Sequence, residues 1–409
     1  MALTYDTLAK AFAKAAGLKG APGPLEQTFL EQALEDYVAD ETPELDAETF
    51  ARVLAEFWAY GENRPIGDPP RVQVRQAAVT AGRAPYDLVE VIQDDGPFLV
   101  DSVMGELSDA GVSVQGLYHP VLDLGDGRRE SMILVVVDPL SDERRAALTA
   151  GLEATLDDVR LTVRDHGAML EMMRRSIGAL EGGVKGVSTE ALSENLEFLR
   201  WLKSDRFVFL GARDYDYPRA KDGSYAAEAP LTQVEAGLGV LCDPDRPVLR
   251  RASEPAVLTA AMRRQLDLSE PVTVAKANLR SRVHRRAYMD YVGVKRYDAD
   301  GRATGETRFV GLFTAEAYDR AASEVPLIRR KVANALIRAG KTPGGHNEKR
   351  LKGILENYPR DELFQMSEDE LLETALGILH LYDRPRVRMF TRKDPFDRFV
   401  SVLLYVPRE

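Results

Sequence analysis

This 409-residue chain contains one cysteine, two tryptophans and five histidines. With Cys242 alone, an internal disulfide cannot form and every multi-cysteine metal site is excluded. His119, His166, His284, His346 and His380 are scattered along the chain, so no metal-ligand spacing emerges and no metal is expected. No stretch approaches the roughly 20 apolar residues of a membrane helix. The N-terminus lacks the apolar core of a signal peptide, and a cytoplasmic location is expected. Positive charge is also in deficit. A net charge of -11 and a pI near 5.2 argue against a general nucleic-acid binder. A dinucleotide fingerprint, G-x-G-x-x-G behind a strand, is missing: Gly237-Leu238-Gly239 and Gly182-Gly183 lack the third glycine and the strand–helix context. No catalytic set is read anywhere in the chain.

What is present is an ordinary globular composition, 44% hydrophobic and 29% charged, with length for two to four domains. An apolar strand pattern at Leu88 runs into Asp94-Asp95-Gly96-Pro97, and a helix pattern follows directly. Leu99, Val103 and Leu107 fall on one stripe. Pro97 suits a first helical turn, and Gly96 permits a tight bend before it. Asp109-Ala110-Gly111 closes the helix. Two strands follow across Gly125-Asp126-Gly127, then a helix over Ser141–Leu156 and a strand over Val159–Val163. That order is β-α-β-β-α-β, a ferredoxin-like plan. With its Asp-Gly-Pro-x-Leu turn it resembles an ACT domain, the module that senses amino acids in metabolic enzymes.

Around this module the expected organisation is α+β. Residues 1–70 read as amphipathic helices (Leu25, Phe29, Leu34, Tyr37; Phe50, Val53, Leu54, Phe57) ending in a Pro- and Gly-rich linker at 61–70. The ACT-like module spans 71–165 and a helical connector 166–203. Residues 204–317 carry strands at 206–217, 272–276, 287–297 and 306–314, with a turn at Asp298-Ala299-Asp300-Gly301; they suggest a β-rich PAS- or GAF-like domain. A second helical connector covers 318–383, with helices from Val325, over 347–358 and over 360–380. Strand candidates at 384–390 and 398–406 form no stable sheet alone: either they complete an earlier sheet or, as expected here, the chain is a fragment and residues 384–409 are the first strands of a second ACT-like module.

Several segments together resemble the large bacterial NAD-dependent glutamate dehydrogenases. They are DDGPFLVDSV (94–103), RFVFLGARDYDY (206–217), KANLRSRVHRRAYMDYVGVKRYDADG (276–301), GETRFVGLFTAEAY (305–318), VPLIRRKV (325–332), ENYPRDELFQ (356–365) and RPRVRMFTRKDPFDRFVSVLLYVPRE (384–409). The resemblance implies oxidative deamination of L-glutamate to 2-oxoglutarate with NAD in the full-length enzyme, and a regulatory, oligomerising role for this region. The catalytic domain is expected beyond residue 409, with no cofactor in this chain. Implied partners are that catalytic domain, other subunits of a homo-oligomer and an amino-acid effector, not nucleic acid or membrane. The rival reading is a stand-alone, non-enzymatic amino-acid-binding sensor.

Two places carry site candidates. Asp95, Gly96, Pro97, Phe98 and Leu99 form a helix N-terminus, whose free N–H groups favour an anionic group such as an effector's carboxylate. Alternatively Asp95 only caps the helix and Gly96 only relieves strain; the two aspartates would also repel a carboxylate. The cluster Arg280, Arg282, His284, Arg285 and Arg286, between Lys276 and Arg296, offers a docking site for an anion or an acidic domain face. Its bland alternative is a solvated strand and loop paired with local carboxylates. His284 and Asp290 could be cast as a base and its orienter, without a nucleophile nearby. Asp361 reads as a helix cap, and Cys242 as a buried, inert thiol.

Overall fold

The computed structural model describes residues 3–407 apart from 38–45, 63, 66, 79–84, 126, 222, 227–228, 230, 247, 250–256, 267–269, 383 and 385. Asp126, at the centre of the expected Gly125–Gly127 turn, and parts of the 61–70 linker and of the 384–390 strand candidate lie outside the described residues. The chain forms two compact units. One comprises residues 1–163 with Arg282–Arg286, the other residues 164–281 with 287–409. Among the described residues no helix is long and apolar enough to cross a membrane.

The first unit begins with three helices, α1 (Tyr5–Ala15), α2 (Pro24–Glu35) and α3 (Ala47–Gly61). Pro24 sits in the first turn of α2, where its missing N–H costs nothing. The Asp46 carboxylate caps α3 by accepting the Thr49 N–H at 2.9 Å. Then come β1 (Arg71–Gln76), β2 (Asp87–Asp94), α4 (Leu99–Asp109), β3 (Val114–Tyr118), β4 (Val121–Gly125), β5 (Arg128–Val137) and α5 (Asp142–Glu181). The sheet is antiparallel in the order β1-β2-β5-β3, with β4 also beside β5.

Side chains on a strand alternate between faces. One face, with Leu88, Ile92, Met132, Leu134 and Val136, shares a single core with Leu8, Phe12, Phe29, Phe50, Leu54 and Phe57 of the three helices. The N-terminal helices are therefore part of this unit's core. The other face, with Val89, Val91, Ile133, Val135 and Val137, is buried too, as are the stripes Leu99, Val103, Leu107 of α4 and Leu148, Leu152, Leu156 of α5.

Two expectations are corrected here. Val159–Val163 is not a strand but the middle of the 40-residue α5. Its alternating branched residues look strand-like locally, yet the helical stripe continues through Leu152, Leu156, Val159 and on to Met169, Met173 and Leu180, all buried. The place beside β2 that the last strand of a β-α-β-β-α-β plan would take is filled by β1, which precedes the module. The ferredoxin-like sheet is thus permuted, with its fourth strand supplied from the N-terminal side.

The second unit starts within α5 at residue 164 and continues through α6 (Thr189–Trp201), β6 (Phe207–Asp216), the short β7 (Thr232–Gln233) and β8 (Leu238–Gly239), α7 (Ala260–Leu266), β9 (Val272–Arg280), β10 (Tyr288–Tyr297) and β11 (Ala303–Phe313). The antiparallel sheet runs β7-β6-β11-β10-β9, with β8 also on β6. One face, including Phe207, Phe209, Val274, Val292 and Phe309, packs with Met169, Met173 and Ile177 of α5 and Phe198 and Leu199 of α6. The opposite face is polar but buried. Registers Arg213↔Arg308 and Tyr215↔Glu306 gather a cluster in which Tyr291 donates to Glu306 at 2.7 Å and Arg308 pairs with Glu306 at 2.5 Å. The Asp298–Gly301 turn forms as expected: Asp298 Oδ1 accepts the N–H groups of Asp300 and Arg302, and Gly301 takes a positive φ.

Helices α8 (Ala315–Asp319), α9 (Ile328–Arg338), α10 (His346–Glu356), α11 (Arg360–Gln365) and α12 (Glu368–Leu379) follow, then the hairpin β12 (Arg388–Lys393) and β13 (Val400–Tyr405). The expected single helix over 360–380 is broken at Met366-Ser367. There Ser367 and Glu370 form a reciprocal capping box that starts α12. One hairpin face, Phe390, Leu403 and Tyr405, packs on the helical core. The other, with Met389, Val400, Val402 and Leu404, is exposed.

Candidate functional site

The loop from β2 to α4 differs in detail from its sequence reading. The left-handed residue is Phe98, with φ +70, and Gly96 has open space where a Cβ would point. Gly96 is therefore not the residue that absorbs strain. Asp95 does not cap the helix; the N-cap is Phe98, with no side-chain cap bond. Asp95 instead donates its N–H to Arg129 O at 2.9 Å, and its carboxylate lies 3.5 Å from the Arg129 guanidinium. Asp94 is fixed by the buried Arg64, which donates to Asp94 Oδ1 at 2.8 Å and to Glu130 Oε2 at 3.1 Å. Burial pushes the Glu130 carboxyl above its ordinary range, and Arg64 offsets only part of that push. Pro97 stands in the turn before α4, and Leu99 is the first helical residue, buried as expected.

The two sets of candidates, 180 or more residues apart in sequence, meet at this helix. The His284 N–H donates to the buried Ser102 Oγ at 3.0 Å, and its ring Nδ1 lies 2.8 Å from Asp101 Oδ2. The Phe98 ring lies 5.4 Å from the His284 ring. Arg286 Nη2 donates to Glu106 Oε2 at 2.6 Å, to Thr155 Oγ1 at 3.3 Å and to Ser102 O at 3.3 Å. Val283 is fully buried, whereas Arg282 and Arg285 are exposed and Arg280 ends β9. His284 and Arg286 of the basic cluster make these contacts, with Asp101 and Glu106 as their carboxylate partners. The arrangement holds the Arg286 guanidinium against Glu106 and the His284 ring against Asp101.

Other candidates separate. Asp290 faces Lys276, 2.6 Å away, and accepts the Phe313 N–H, while His284 faces Asp101. The two therefore do not form a base and orienter. Burial pushes Asp290 up to about 6 despite the Lys276 charge. Burial also works against the Lys276 ammonium, but Asp290 and Asp361 outweigh it and raise its pKa. Asp361 does not cap α11, whose N-cap is Pro359; it takes Lys276 at 2.9 Å and the Tyr318 hydroxyl at 3.1 Å. Only the like register of these charges in three dimensions could have shown that pairing. Gly237 and Gly239 are close-approach glycines: a Cβ at either would overlap the carbonyl of Leu241 or Leu210. Cys242 is half-buried in the turn after β8, not buried. Among the described residues no group of three His, Cys, Asp or Glu could hold a metal ion.

A permuted ferredoxin-like sheet behind a DDGPFL turn defines an ACT-domain protein. Family comparison agrees and goes further. A glutamate dehydrogenase ACT1 domain model matches residues 29–152, a glutamate dehydrogenase helical motif 1 model residues 325–384, and a glutamate dehydrogenase ACT2 domain model residues 388–409. The NAD-specific glutamate dehydrogenase of Halomonas elongata is 36% identical over 344 residues, covering 79% of this chain and 21% of that protein. That of Pseudomonas aeruginosa is 36% identical over 346 residues, with the same coverages. The Mycobacterium tuberculosis protein of that name is 28% identical over 377 residues, 87% of this chain and 22% of its own length. The chain belongs to the NAD-specific glutamate dehydrogenase family. It spans about a fifth of the length of the curated relatives it matches.

Proposed function

We propose that this chain is the regulatory and oligomerising region of an NAD-dependent glutamate dehydrogenase. The whole protein would convert L-glutamate, NAD and water to 2-oxoglutarate, ammonia and NADH in the cytoplasm. The observation that carries this reading is the ordered run of ACT1, helical motif 1 and ACT2 matches on one chain, without a dinucleotide fingerprint in the sequence. NAD then belongs to the full-length enzyme, and this region's partners are its own catalytic domain and sister subunits, with an amino acid as effector.

Two finer assignments belong to this proposal. The sheet of residues 204–317 is a PAS- or GAF-like sensor domain, a reading supported by its antiparallel strands with α5 and α6 packed on one face. The hairpin β12–β13 supplies the first strands of a second ACT-like module, supported by the ACT2 match and by the exposed Met389, Val402 and Leu404, which need a covering layer. The test is NAD reduction with L-glutamate by the 409-residue chain. Zero turnover is expected, and clear turnover would overturn the assignment of the chemistry to another part of the protein.

A further inference from the structure

Lys331 on α9 is a partly buried ammonium bonded, among the described residues, to uncharged groups alone. Its Nζ donates to the main-chain oxygens of Leu363 at 3.1 Å, Phe364 at 2.8 Å and Met366 at 2.7 Å. Those acceptors use all three protons and carry no charge to offset its own. Burial lowers its pKa to about 8, against the charges of Glu270 and Glu368. Lys331 and Arg330 line a cavity of about 480 Å³ within the second unit. Arg330 gives Nη2 to Glu270 at 2.8 Å, and among the described residues that bond leaves its other N–H groups open. Val274 of β9, Leu327 and Phe364 supply apolar wall. Leu327 keeps a rare backbone, φ +69 and ψ -46, which its N–H bond to Glu194 at 3.0 Å holds in place.

We infer that this cavity binds a zwitterionic amino acid with an apolar side chain. The carboxylate takes the N–H groups of Arg330 and lies in the field of Lys331, while the side chain meets Val274, Leu327 and Phe364. The ammonium goes to the first turn of α12, whose Glu368 and Glu370 also line the cavity. Glu368 engages Oε1 with Asn334 at 2.9 Å, and Glu370 engages Oε2 in capping Ser367. Each keeps its second carboxylate oxygen unbonded among the described residues. Glu270 is already satisfied, by Arg330 and by Asn195 at 2.9 Å. An apolar wall with a few placed charges is the usual build of a small-molecule site, and the volume falls in its range. The inference rests on this lining and not on the β2–α4 loop, and it stands whether or not the chain is regulatory.

The test is isothermal titration calorimetry on the full chain with three probes. They are L-isoleucine, isoleucinol, which lacks the carboxylate, and 3-methyl-2-oxopentanoate, which lacks the ammonium. L-isoleucine is expected to bind saturably, and each of the others roughly tenfold more weakly or worse, since bonds to charged groups are the strong ones. Arg330→Gln is expected to weaken L-isoleucine roughly tenfold. Arg338→Gln, which removes an ion pair with Asp369 further along α9, leaves it unchanged. If Arg330→Gln does not fold, protection of Lys331 from acetic anhydride by L-isoleucine, read by mass spectrometry, is used instead. Three results would overturn the site: no saturation at millimolar L-isoleucine, an affinity within twofold of wild type in folded Arg330→Gln, or an unprotected Lys331. Isoleucinol or the oxo acid binding as tightly as L-isoleucine would overturn the zwitterion assignment.

Discussion

Replacing Arg64 by methionine tests how the ACT-type loop is held. The Arg64 side chain is only 2% exposed and Glu130 only 9%, whereas Asp94 is 46% exposed. Asp94 can rehydrate when its partner goes, so its contribution is small. Glu130 cannot. Removing one partner of a buried pair costs about 3–5 kcal/mol, and the sharing of Arg64 with a solvated carboxylate reduces this to about 2–3 kcal/mol at pH 7.5. The sign of the pH effect follows from Glu130. Its folded pKa lies above the unfolded one, so its contribution is fully present at low pH and is lost as pH rises through the folded value. Without Arg64 the folded value moves higher still, so the deficit is smaller at pH 5 than at pH 7.5. Trp58 packs on the core of the first unit and Trp201 on that of the second. In a Trp201→Phe background, urea unfolding followed by Trp58 fluorescence isolates the effect. With a slope of about 2 kcal/mol per molar urea, the midpoint should fall by about 1–1.5 M at pH 7.5. A shift below about 0.3 M, on the same slope, or an equal deficit at both pH values would refute the reasoning.

In the second unit, Asp290→Asn should flatten the dependence of Tm on pH between 4 and 7, read through Trp201 in a Trp58→Phe background. Asp290, held at about 6 by burial, contributes stability below its ordinary range and loses it as pH rises; a slope that survives the substitution would contradict that assignment. Gly239→Ala should lower the stability of the same unit by about 2 kcal/mol or more, because φ is +56 there and the added Cβ meets the Leu210 carbonyl. A change below about 0.5 kcal/mol would show that the backbone can move aside.

Local signals were legible where a local cause decides the structure. The stripe Leu99, Val103, Leu107 forms the buried side of α4, and Asp298 with Gly301 makes its turn because the side chain and the positive φ are both supplied within four residues. Val159–Val163 misleads because alternating branched residues fit both periods over five positions, and only the longer stripe of α5 decides. The break at Ser367 was readable from Ser367 and Glu370, a capping box within a charged run. The meeting of His284 and Arg286 with α4 was not readable, because a partner some 180 residues away has no local signature. Gly105 and Gly151 look like ordinary helix-weakening glycines until the Arg286 and Glu106 side chains they admit are seen.

The central claim is that this region serves a much larger dehydrogenase. The most direct measurement is an immunoblot of native cells with an antibody against this region, with glutamate-dependent NAD reduction assayed in the precipitate. A polypeptide several times larger than 45.4 kDa that carries the activity is the expected result. A band at 45.4 kDa without activity would contradict the account and leave a free-standing sensor in its place.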